Sequence, residues 1–597
     1  MQGWSLALRA PSLTMLVMLA AVGSASADIP VPSSLPPQTY PSSVSKQQFV
    51  MMDDGVQLGV TITFPSKDGS TPAPGKFPVV LAMTPYGRDG VCGCSNPADF
   101  ATRGFVFAIA DVRGTGGSQG NLNGNYFSPR EAKDGYDLVE WLGTQPWSTG
   151  KVGMDGGSYI GITQLKTAEL DPPHLAAIAP DESLADIYDD AYAPGGIVSA
   201  SFDGQYIAVQ GAPGLLTPNT DPSMLQGTVT AKADQATSAP VALDYLENPF
   251  DDAFYQLRNP ITLADRITVP AFITDGWRDG FFVSGDARMF EALEHRGAPT
   301  YLNIGPCTHK GCGGAEAPTL NPPDVDNTEA QELQFDQKYL MGMNVPDLPR
   351  VRVYDQQADR YVESGSWPLS QATTRREYLG AASIASTGTI TDQRPARSSA
   401  SYPANPAAGY SMALDGQGTV AISPYLPTDQ RLEDGQGLTW RTPAMTKPLT
   451  IAGPVALHLV AASSATNTDW FVKISDVAPD GTESIVAEGQ LRASLRALAP
   501  GSKPTEPRHP LVNPSPVTPH QFYDYQIALQ PTAYTFVPGD KLQIRITSGN
   551  VPNSVPGTVF LDANNPTTPV FTPLPPAINT VMLGGRDGTS LLLPVLG

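Results

Sequence analysis

A serine flanked by glycines stands where a short apolar strand is expected to give way to a helix. The letters KVGMDGGSYIG span residues 151–161, and the pattern predicts a helix over roughly Tyr159 to Leu170. A serine in a sharp strand-to-helix turn needs small neighbours, and the helix start directs backbone N–H groups toward developing negative charge. Ile160 takes the last place of the common G-x-S-x-G pattern, so glycine comes one residue later, at 161. The pattern favours Ser158 as an attacking nucleophile over a serine that only caps the helix.

A serine hydroxyl is a weak nucleophile near neutral pH, so it needs a general base and an acidic residue that orients this base. The sequence has six histidines. In proteins that carry a nucleophilic serine in such a strand-to-helix turn, the order along the chain is serine, acid, histidine. His309 follows the expected strand Tyr301 to Ile304 after a Gly-Pro turn, so we predict it as the base. The other five fit less well: His174 is too close to the serine, His295 lies in a charged helical stretch, and His458, His509 and His520 lie in a β-rich region.

Two aspartates follow the expected strand Val269 to Thr274 and qualify as the acid. Asp279 lies in the turn-rich stretch GWRDG at 276–280, which can project a carboxylate toward the histidine. Asp275 is interpreted as a strand-end carboxylate that is bonded by nearby backbone. The residues alone favour Asp279 and leave Asp275 open.

The elements around these residues follow an α/β pattern from about Gln47 to His309. Phe77 to Thr84 and Phe105 to Ala110 are continuous apolar runs, typical of strands buried on both faces. A helix after the second run has Ser128 as its cap, proline at the first position, and Glu131 to complete a capping box. The pattern weakens from about Asp181 to Arg266, where we expect a mostly helical insertion.

Short alternating strands replace the helical pattern after about Pro368. Such strands, separated by Pro/Gly turns over the last part of the chain, predict a β-sandwich or jelly roll. The predicted organisation is therefore a signal peptide (1–27), an α/β core in two parts (45–180 and 267–367), a helical cap (181–266) and a jelly-roll domain (368–597).

Composition and the N-terminus restrict where the protein acts. With 41% hydrophobic and 16% charged residues, the composition is typical of a folded chain. The formal net charge of −21 argues against binding to nucleic acid or anionic membrane, because like charges repel. The first residues carry Arg9, an apolar run from Leu13 to Val22 and the letters ASA at 25–27. This pattern predicts a signal peptide cleaved after Ala27 and an exported, periplasmic or extracellular protein. A membrane anchor is the alternative, but the apolar run is too short to span a bilayer.

Several motifs together resemble those of the cocaine esterase / X-prolyl dipeptidyl-peptidase (CocE/NonD) family of serine hydrolases. They are G-x-S-Y-x-G at 156–161, G-W-x-D-G at 276–280, I-G-P-x-x-H at 304–309, TPY at 84–86 and DVRGTG at 111–116. The resemblance extends over nearly the whole mature chain and implies an α/β-hydrolase core, a helical cap and a C-terminal jelly roll. It favours Asp279 over Asp275 as the acid, and it implies an oxyanion hole formed by the Tyr86 side chain and the Tyr159 amide. It requires no metal or organic cofactor.

The resemblance implies acyl transfer through an acyl-enzyme on Ser158, with a small-molecule ester or amide as substrate. Relatives that act on α-amino acid esters carry acidic residues two and three positions after the aspartate, where this chain has Phe281 and Phe282. With Trp277, these rings are expected to form an apolar or aromatic acyl pocket, although simple core packing is the alternative. We therefore expect an esterase or acylase. The alternatives are an Xaa-Pro dipeptidyl-peptidase and a secreted carbohydrate-binding protein with a vestigial hydrolase core.

Four cysteines lie in loops beside the proposed catalytic elements: Cys92, Cys94, Cys307 and Cys312. An exported protein is expected to hold them in disulfides, which would tie the His309 loop either within itself or to the Tyr86 loop. A metal site made of these cysteines and His309 is the alternative. It is disfavoured because it would remove the base from the triad.

Overall fold

The computed structural model describes residues 31–89, 93–122, 124–200, 225–236, 242–309, 327–409, 429–555, 557–562 and 565–597. The predicted signal peptide lies outside the described residues. Within the described ranges, no helix combines the length and hydropathy needed to cross a bilayer.

A ten-stranded sheet forms the first layer of the fold. Its strands are β1 (Ser42–Met51), β2 (Gln57–Ser66), β3 (Phe77–Thr84), β4 (Val106–Asp111), β5 (Ser148–Gly157), β6 (Leu175–Asp181), β7 (Ala271–Arg278), β8 (Thr300–Thr308), β9 (Val351–Asp355) and β10 (Arg360–Ser364). The strand order is β1-β2-β4-β3-β5-β6-β7-β8-β9-β10. The seven strands from β4 to β9 in that order are parallel, and the edge strands β1, β2 and β10 are antiparallel. The chain runs outward on both sides of the β3–β5 pair, and a sheet wound in this way places its sites at the carboxyl ends of its strands.

Helices connect the parallel strands and cover both faces of the sheet. They are α1 (Pro97–Ala101), α2 (Pro129–Gly143), α3 (Tyr159–Ala168), α4 (Leu225–Ala236), α5 (Ala242–Glu247), α6 (Ala253–Gln256), α7 (Phe282–Glu294) and α8 (Thr328–Tyr339). One hydrophobic cluster packs α2, α3 and α7 against the sheet and continues into the C-terminal domain. A second cluster on the opposite face includes residues of α1 and α8.

The start of α2 differs in one detail from the sequence-based expectation. The Ser128 side chain accepts hydrogen bonds from the amides of Arg130 and Glu131, as an N-cap should. Glu131 does not complete the capping box, because the Ser128 amide already donates to Asn125 O at 3.1 Å. Oε2 of Glu131 instead accepts from the amide of Phe127 at 2.5 Å. The glutamate is therefore available for a contact with the active-site elbow.

In the described residues between β6 and β7, the regular elements are helical, apart from an isolated β-bridge at Ser199. This segment contains a π-helical turn at Tyr188–Tyr192, 3₁₀ turns at Pro194–Gly196 and Pro260–Arg266, and the helices α4, α5 and α6. Its middle residues, 201–224 and 237–241, lie outside the described ranges. In the described part, this agrees with the expectation of a helical insertion.

The C-terminal part is a β-sandwich built almost entirely of strands. They are β11 (Ala372–Leu379), β12 (Gly388–Thr391), β13 (Ser398–Ala404), β14 (Leu438–Arg441), β15 (Leu449–Ser463), β16 (Asp469–Val477), β17 (Glu483–Arg492), β18 (Tyr523–Phe536), β19 (Lys541–Thr547), β20 (Thr558–Asp562), β21 (Asn565–Thr572), β22 (Ala577–Leu583) and β23 (Ser590–Leu596). Eleven of them join one sheet, and β20 and β21 form a separate hairpin. The molecule is thus an α/β-hydrolase core followed by a β-rich domain. The finer jelly-roll assignment stays a prediction.

Strand β19 alternates as its sequence suggests, but both of its faces are buried. Ile544 and Ile546 enter the hydrophobic core, while Arg545 on the other face is only 1% exposed. The Arg545 guanidinium donates to Glu483 at 2.9 Å and also contacts Asp434. The polar face is therefore covered by the segment around Gln430–Glu433, and its charges are neutralised by pairing.

Candidate active site

Ser158 occupies a strained turn between β5 and α3. Its φ is 60° and its ψ is −126°, in a region that non-glycine residues rarely adopt. Gly156 has φ 121°, and a Cβ added there would lie 2.5 Å from Cγ2 of Ile160. At Gly161, an added Cβ would lie 2.7 Å from Asp181 O. The two glycines therefore provide the space that the elbow needs, as the sequence predicts.

His309 and Asp279 complete a hydrogen-bonded chain with this serine. Oγ of Ser158 lies 2.8 Å from Nε2 of His309, and Nδ1 of His309 lies 2.7 Å from Oδ1 of Asp279. Asp279 is buried at 4% exposure, and the His309 side chain is 13% exposed. The histidine can therefore accept the serine proton with one nitrogen while the aspartate fixes its other nitrogen as N–H.

The parallel strands bring these three distant residues to one edge of the sheet. Ser158 follows β5, Asp279 follows β7 and His309 follows β8. These strands are joined in the order β5-β6-β7-β8, so their carboxyl ends meet at the same edge. The amide of Ser158 also donates to Asp181 O at the end of β6, at 2.9 Å, which fixes the elbow to the intervening strand.

Acidic side chains that the sequence analysis did not identify surround the hydrogen bonds between Ser158, His309 and Asp279. Burial raises the pKa of Asp279, and the neighbouring His309 opposes that shift. Burial also raises the pKa of Asp181 to about 6, although its carboxylate accepts a 2.5 Å hydrogen bond from Thr274 Oγ1. Glu182 is buried beside Asp279 and His309 and has a positive φ of 46°. The letters DES at 181–183, directly after an expected strand, are the only sequence signal that could have pointed to them.

Glu182, Asp279 and His309 each have one atom that could bind a metal ion, and these three atoms lie within 4.8 Å of one another. Both ring nitrogens of His309 already contact Ser158 and Asp279, so we assign these atoms to the hydrogen-bond chain and not to a metal.

Tyr159, the first residue of α3, presents its backbone N–H at the helix start, where no intrahelical acceptor exists. Its side chain is fixed from behind, since its hydroxyl donates to Oε1 of Glu131 at 2.7 Å and its ring packs on Phe127 at 4.2 Å. Burial raises the pKa of Glu131 to about 8. The contact between α2 and the elbow was not expected from the sequence, because Glu131 has a ready explanation there as half of a capping box.

Tyr86 lies just beyond the carboxyl end of β3, on the same edge of the sheet as the triad. It is partly buried and packs against both hydrophobic clusters, with its ring beside Gly93. Gly93 O in turn accepts from the Gly157 amide at 2.9 Å, which links the Tyr86 loop to the elbow. This location fits the predicted oxyanion role of Tyr86, and that role stays a prediction.

The three aromatic residues predicted to line a substrate pocket lie in different environments. Trp277 is 1% exposed and its indole N–H donates to Tyr354 O at 2.6 Å, so it packs against β9 in the core, and its role as a pocket residue stays a prediction. Phe282 is buried with its ring 5.0 Å from the His309 ring. Phe281 lines a cleft between the hydrolase core and the β-sandwich. Of the three, Phe281 faces a cavity and Phe282 contacts the triad.

Cysteines lie close to the site and are oxidised where they are described. Cys94 and Cys307 are both disulfide-bonded, and the described residues contain no free cysteine. Cys92 and Cys312 lie outside the described residues, so the predicted connectivity stays a prediction. Because neither Cys94 nor Cys307 has a thiolate to offer, the alternative of a cysteine metal site loses two of its ligands.

The remaining histidines occupy the positions that sequence reasoning gave them. His295 is exposed at the end of α7. His174 pairs with Glu140 and His458 with Asp524. His509 contacts two backbone carbonyls. In the described structure, none of these contacts involves the elbow serine.

Comparisons with known proteins point to one family. Residues 54–311 match the model of the X-Pro dipeptidyl-peptidase (S15 family), and residues 344–592 match that of the X-Pro dipeptidyl-peptidase C-terminal non-catalytic domain. The cocaine esterase of Rhodococcus sp. (strain MB1 Bresler) is 28% identical over an alignment 603 residues long, which covers 93% of this chain and 99% of that protein.

Two solved structures share the fold. A CocE/NonD family hydrolase from Staphylococcus aureus has a TM-score of 0.70 at 21% identity, over 92% of this chain and 93% of its own. An α-amino acid ester hydrolase has a TM-score of 0.72 at 22% identity, over 98% of this chain and 100% of its own. At these identities, the likeness concerns the fold.

Proposed function

Because the chain belongs to the cocaine esterase / X-Pro dipeptidyl-peptidase family of serine hydrolases, we propose that it cleaves small-molecule esters or amides through an acyl-enzyme on Ser158. The observation that carries this proposal is the pair of contacts of 2.8 Å and 2.7 Å that joins Ser158, His309 and Asp279. A serine paired with a base, and a base oriented by a buried carboxylate, form the arrangement that acyl transfer needs.

The geometry supports a two-step cycle. Nε2 of His309 takes the proton as Ser158 Oγ attacks the carbonyl carbon, and it then delivers this proton to the leaving group. Asp279 holds the imidazole in the required tautomer and stabilises the imidazolium. Water attacks the acyl-enzyme with the same base and releases the acid. The oxyanion formed in each step would accept hydrogen bonds from the Tyr159 amide and the Tyr86 hydroxyl.

An uncharged, apolar acyl group is the substrate type that we propose. Phe281 directly precedes Phe282, whose ring lies 5.0 Å from the His309 ring, and it lines the cleft between the domains, where Asp189 and Asp190 also lie. We propose that the acyl group extends from Ser158 into this cleft. Both carboxylates face Arg288, since Asp190 forms an ion pair with it and Oδ2 of Asp189 lies 3.7 Å from it. An ammonium group would have to compete with this guanidinium. A neutral aryl group can instead pack on the Phe281 ring without breaking an ion pair.

Export is a further part of the proposal. It is supported by the apolar N-terminal stretch that ends in ASA at 25–27 and by the oxidised state of Cys94 and Cys307, since disulfides persist in oxidising compartments. A mature protein whose N-terminus is Asp28 is expected after secretion. N-terminal sequencing of the secreted material checks this.

A substrate panel tests the proposed reaction. We expect the enzyme to hydrolyse p-nitrophenyl and neutral aryl esters better than phenylglycine methyl ester, because the Asp189 and Asp190 charges are already paired. Strong turnover of phenylglycine methyl ester would contradict the neutral acyl group, and preferred turnover of an Xaa-Pro-p-nitroanilide would favour the dipeptidyl-peptidase alternative. The matched control is Ser158→Ala, which should be inactive on every substrate. A folded wild-type protein with no activity on the panel would favour the carbohydrate-binding alternative.

A further inference from the structure

Three buried carboxyl groups meet directly behind the triad. Asp275 lies near the end of β7 and is 4% exposed, and Asp286 lies on α7 and is fully buried. Asp275 lies close enough to Asp279 and Asp286 for its side chain to lower the pKa of each by hydrogen bonding, against the larger opposing effect of burial. Two ionised carboxylates that lie side by side in a buried cluster repel each other, so this arrangement favours at least one proton in the cluster.

The available donors indicate which of the three is least stabilised as an anion. Asp279 accepts from Nδ1 of His309 with Oδ1. Asp286 accepts from both the amide and the hydroxyl of Ser183. Asp275 accepts from the Gly276 amide with Oδ1, at 2.6 Å. Asp275 thus receives a single backbone hydrogen bond and is the least stabilised of the three as an anion.

Two buried oxygens mark where the proton lies. In the described part of the chain, no N–H or O–H group donates to Oδ2 of Asp275 or to Oδ2 of Asp279, although both atoms are buried. A proton on Oδ2 of Asp275 supplies the missing donor for Asp279 and removes one negative charge from the cluster. The burial of Asp275, together with the charges of Asp279, Asp286 and Glu182, raises its pKa well above the usual range.

We propose that Asp275 is a positioning residue of the triad: as a neutral carboxylic acid it donates a hydrogen bond to Oδ2 of Asp279. This bond keeps Oδ1 of Asp279 directed at Nδ1 of His309. Asp286, fixed by Ser183, limits the rotation of Asp275 away from Asp279. The inference rests on the function proposed above, since it assigns a role only if Ser158, His309 and Asp279 act together.

Two substitutions at position 275 separate a positioning role from a structural one. In Asp275→Asn, the side-chain NH₂ can donate to Asp279 and the amide oxygen can accept from Gly276, so kcat on a p-nitrophenyl ester should stay close to that of the wild type. In Asp275→Ala, the donor is lost, and kcat should fall by about 10²-fold with KM little changed, as expected when a catalytic group is misplaced. Asp336→Ala removes another fully buried carboxyl, on α8, and controls for general destabilisation.

Each outcome of this series decides a separate point. An Asn variant as slow as the Ala variant, or an Ala variant as fast as the wild type, would overturn the positioning role. If Asp275→Ala does not fold, Asp275→Ser replaces it, because a serine hydroxyl is too short to reach Asp279; the same fall in kcat is expected, and an unchanged kcat overturns the role. Ser158→Ala is measured alongside. Activity in that variant would refute the proposed function itself, whereas its inactivity next to a fully active Asp275→Ala would refute only the inference.

Discussion

The proposed oxyanion hole has two hydrogen-bond donors of different kinds. The Tyr159 amide is fixed by the start of α3, and Glu131 holds the side chain of the same residue. In the proposed oxyanion hole, Tyr86 would donate its side-chain hydroxyl from the loop after β3, a loop that also holds the disulfide-bonded Cys94. The position of the Tyr159 amide is therefore determined by helix geometry, and the position of the Tyr86 hydroxyl by the packing of one loop.

Removal of the Tyr86 hydroxyl tests the second donor. We expect Tyr86→Phe to lower kcat by about 10²–10³-fold, because one oxyanion donor is lost while the ring still packs. Tyr301→Phe is a matched control, since its hydroxyl contacts Tyr339 and Asp347 far along the sheet from the elbow. Esterase kinetics of the two variants provide the check, and a Tyr86→Phe enzyme that keeps the wild-type kcat would remove Tyr86 from the oxyanion hole.

Residue types and spacing were sufficient to predict Ser158 and His309, since Ser158 follows two glycines before an expected helix and the chain has only six histidines. The residues alone favoured Asp279 as the acid and left Asp275 open until the family resemblance was considered. They were not sufficient for Asp275. Its contact with Asp286 joins a strand end to the following helix, and whether a carboxyl carries a proton depends on burial and on neighbours that a sequence does not show. The same limit applies to Trp277, whose aromatic ring fits a pocket wall or a core equally well until its indole N–H is seen to bond to Tyr354 O.

The strand-to-helix elbow is the element on which the site depends most. Its turn is compressed between α3 and the end of β6, where Asp181 O accepts from the Ser158 amide. The sequence predicted this element well because glycines, an apolar strand and a helix start all agreed. The contact of Glu131 with Tyr159 was not predicted, because the sequence does not show that the Ser128 amide donates to Asn125 O and leaves Glu131 outside the capping box.

A substitution at Gly161 tests the elbow as a unit. The methyl group of Gly161→Ala would approach Asp181 O to 2.7 Å and push on the carbonyl that holds the Ser158 amide. We expect a large loss of kcat together with a lower Tm. Gly365→Ala is the matched control, because no heavy atom lies within 4 Å of the added Cβ there. Equal behaviour of the two variants in thermal unfolding and esterase assays would show that the elbow tolerates the change.

Buried acids are a property of the whole molecule. Burial raises the pKa of Asp155 and Asp181 to about 6, that of Asp190 to about 7 and that of Glu131 and Asp251 to about 8. Each of these groups binds its proton more tightly in the folded state than in the unfolded chain. Their contribution to stability is therefore complete below the unfolded pKa of about 4 and is lost as the pH rises through 6 to 8.

Thermal unfolding as a function of pH tests this account. We expect Tm to be higher near about pH 5.5 than near about pH 8.5, because more protons are bound by the folded state over that interval. The formal net charge of −21 acts in the same direction. At still lower pH, exposed carboxylates whose pKa is lowered, such as Asp53 beside Arg130, lose their pairing and oppose the gain. A Tm that rises steadily from pH 5.5 to 8.5 would contradict the raised pKa values of these buried acids.

The central claim is that Ser158 forms a covalent acyl-enzyme with the help of His309. The most direct measurement is to treat the wild-type protein and His309→Ala with a fluorophosphonate probe and to locate the adduct by peptide mass spectrometry. We predict a single modification on the peptide that contains Ser158, formed rapidly in the wild type and very slowly in the variant. No adduct on that peptide, or equal labelling of both proteins, would contradict the account.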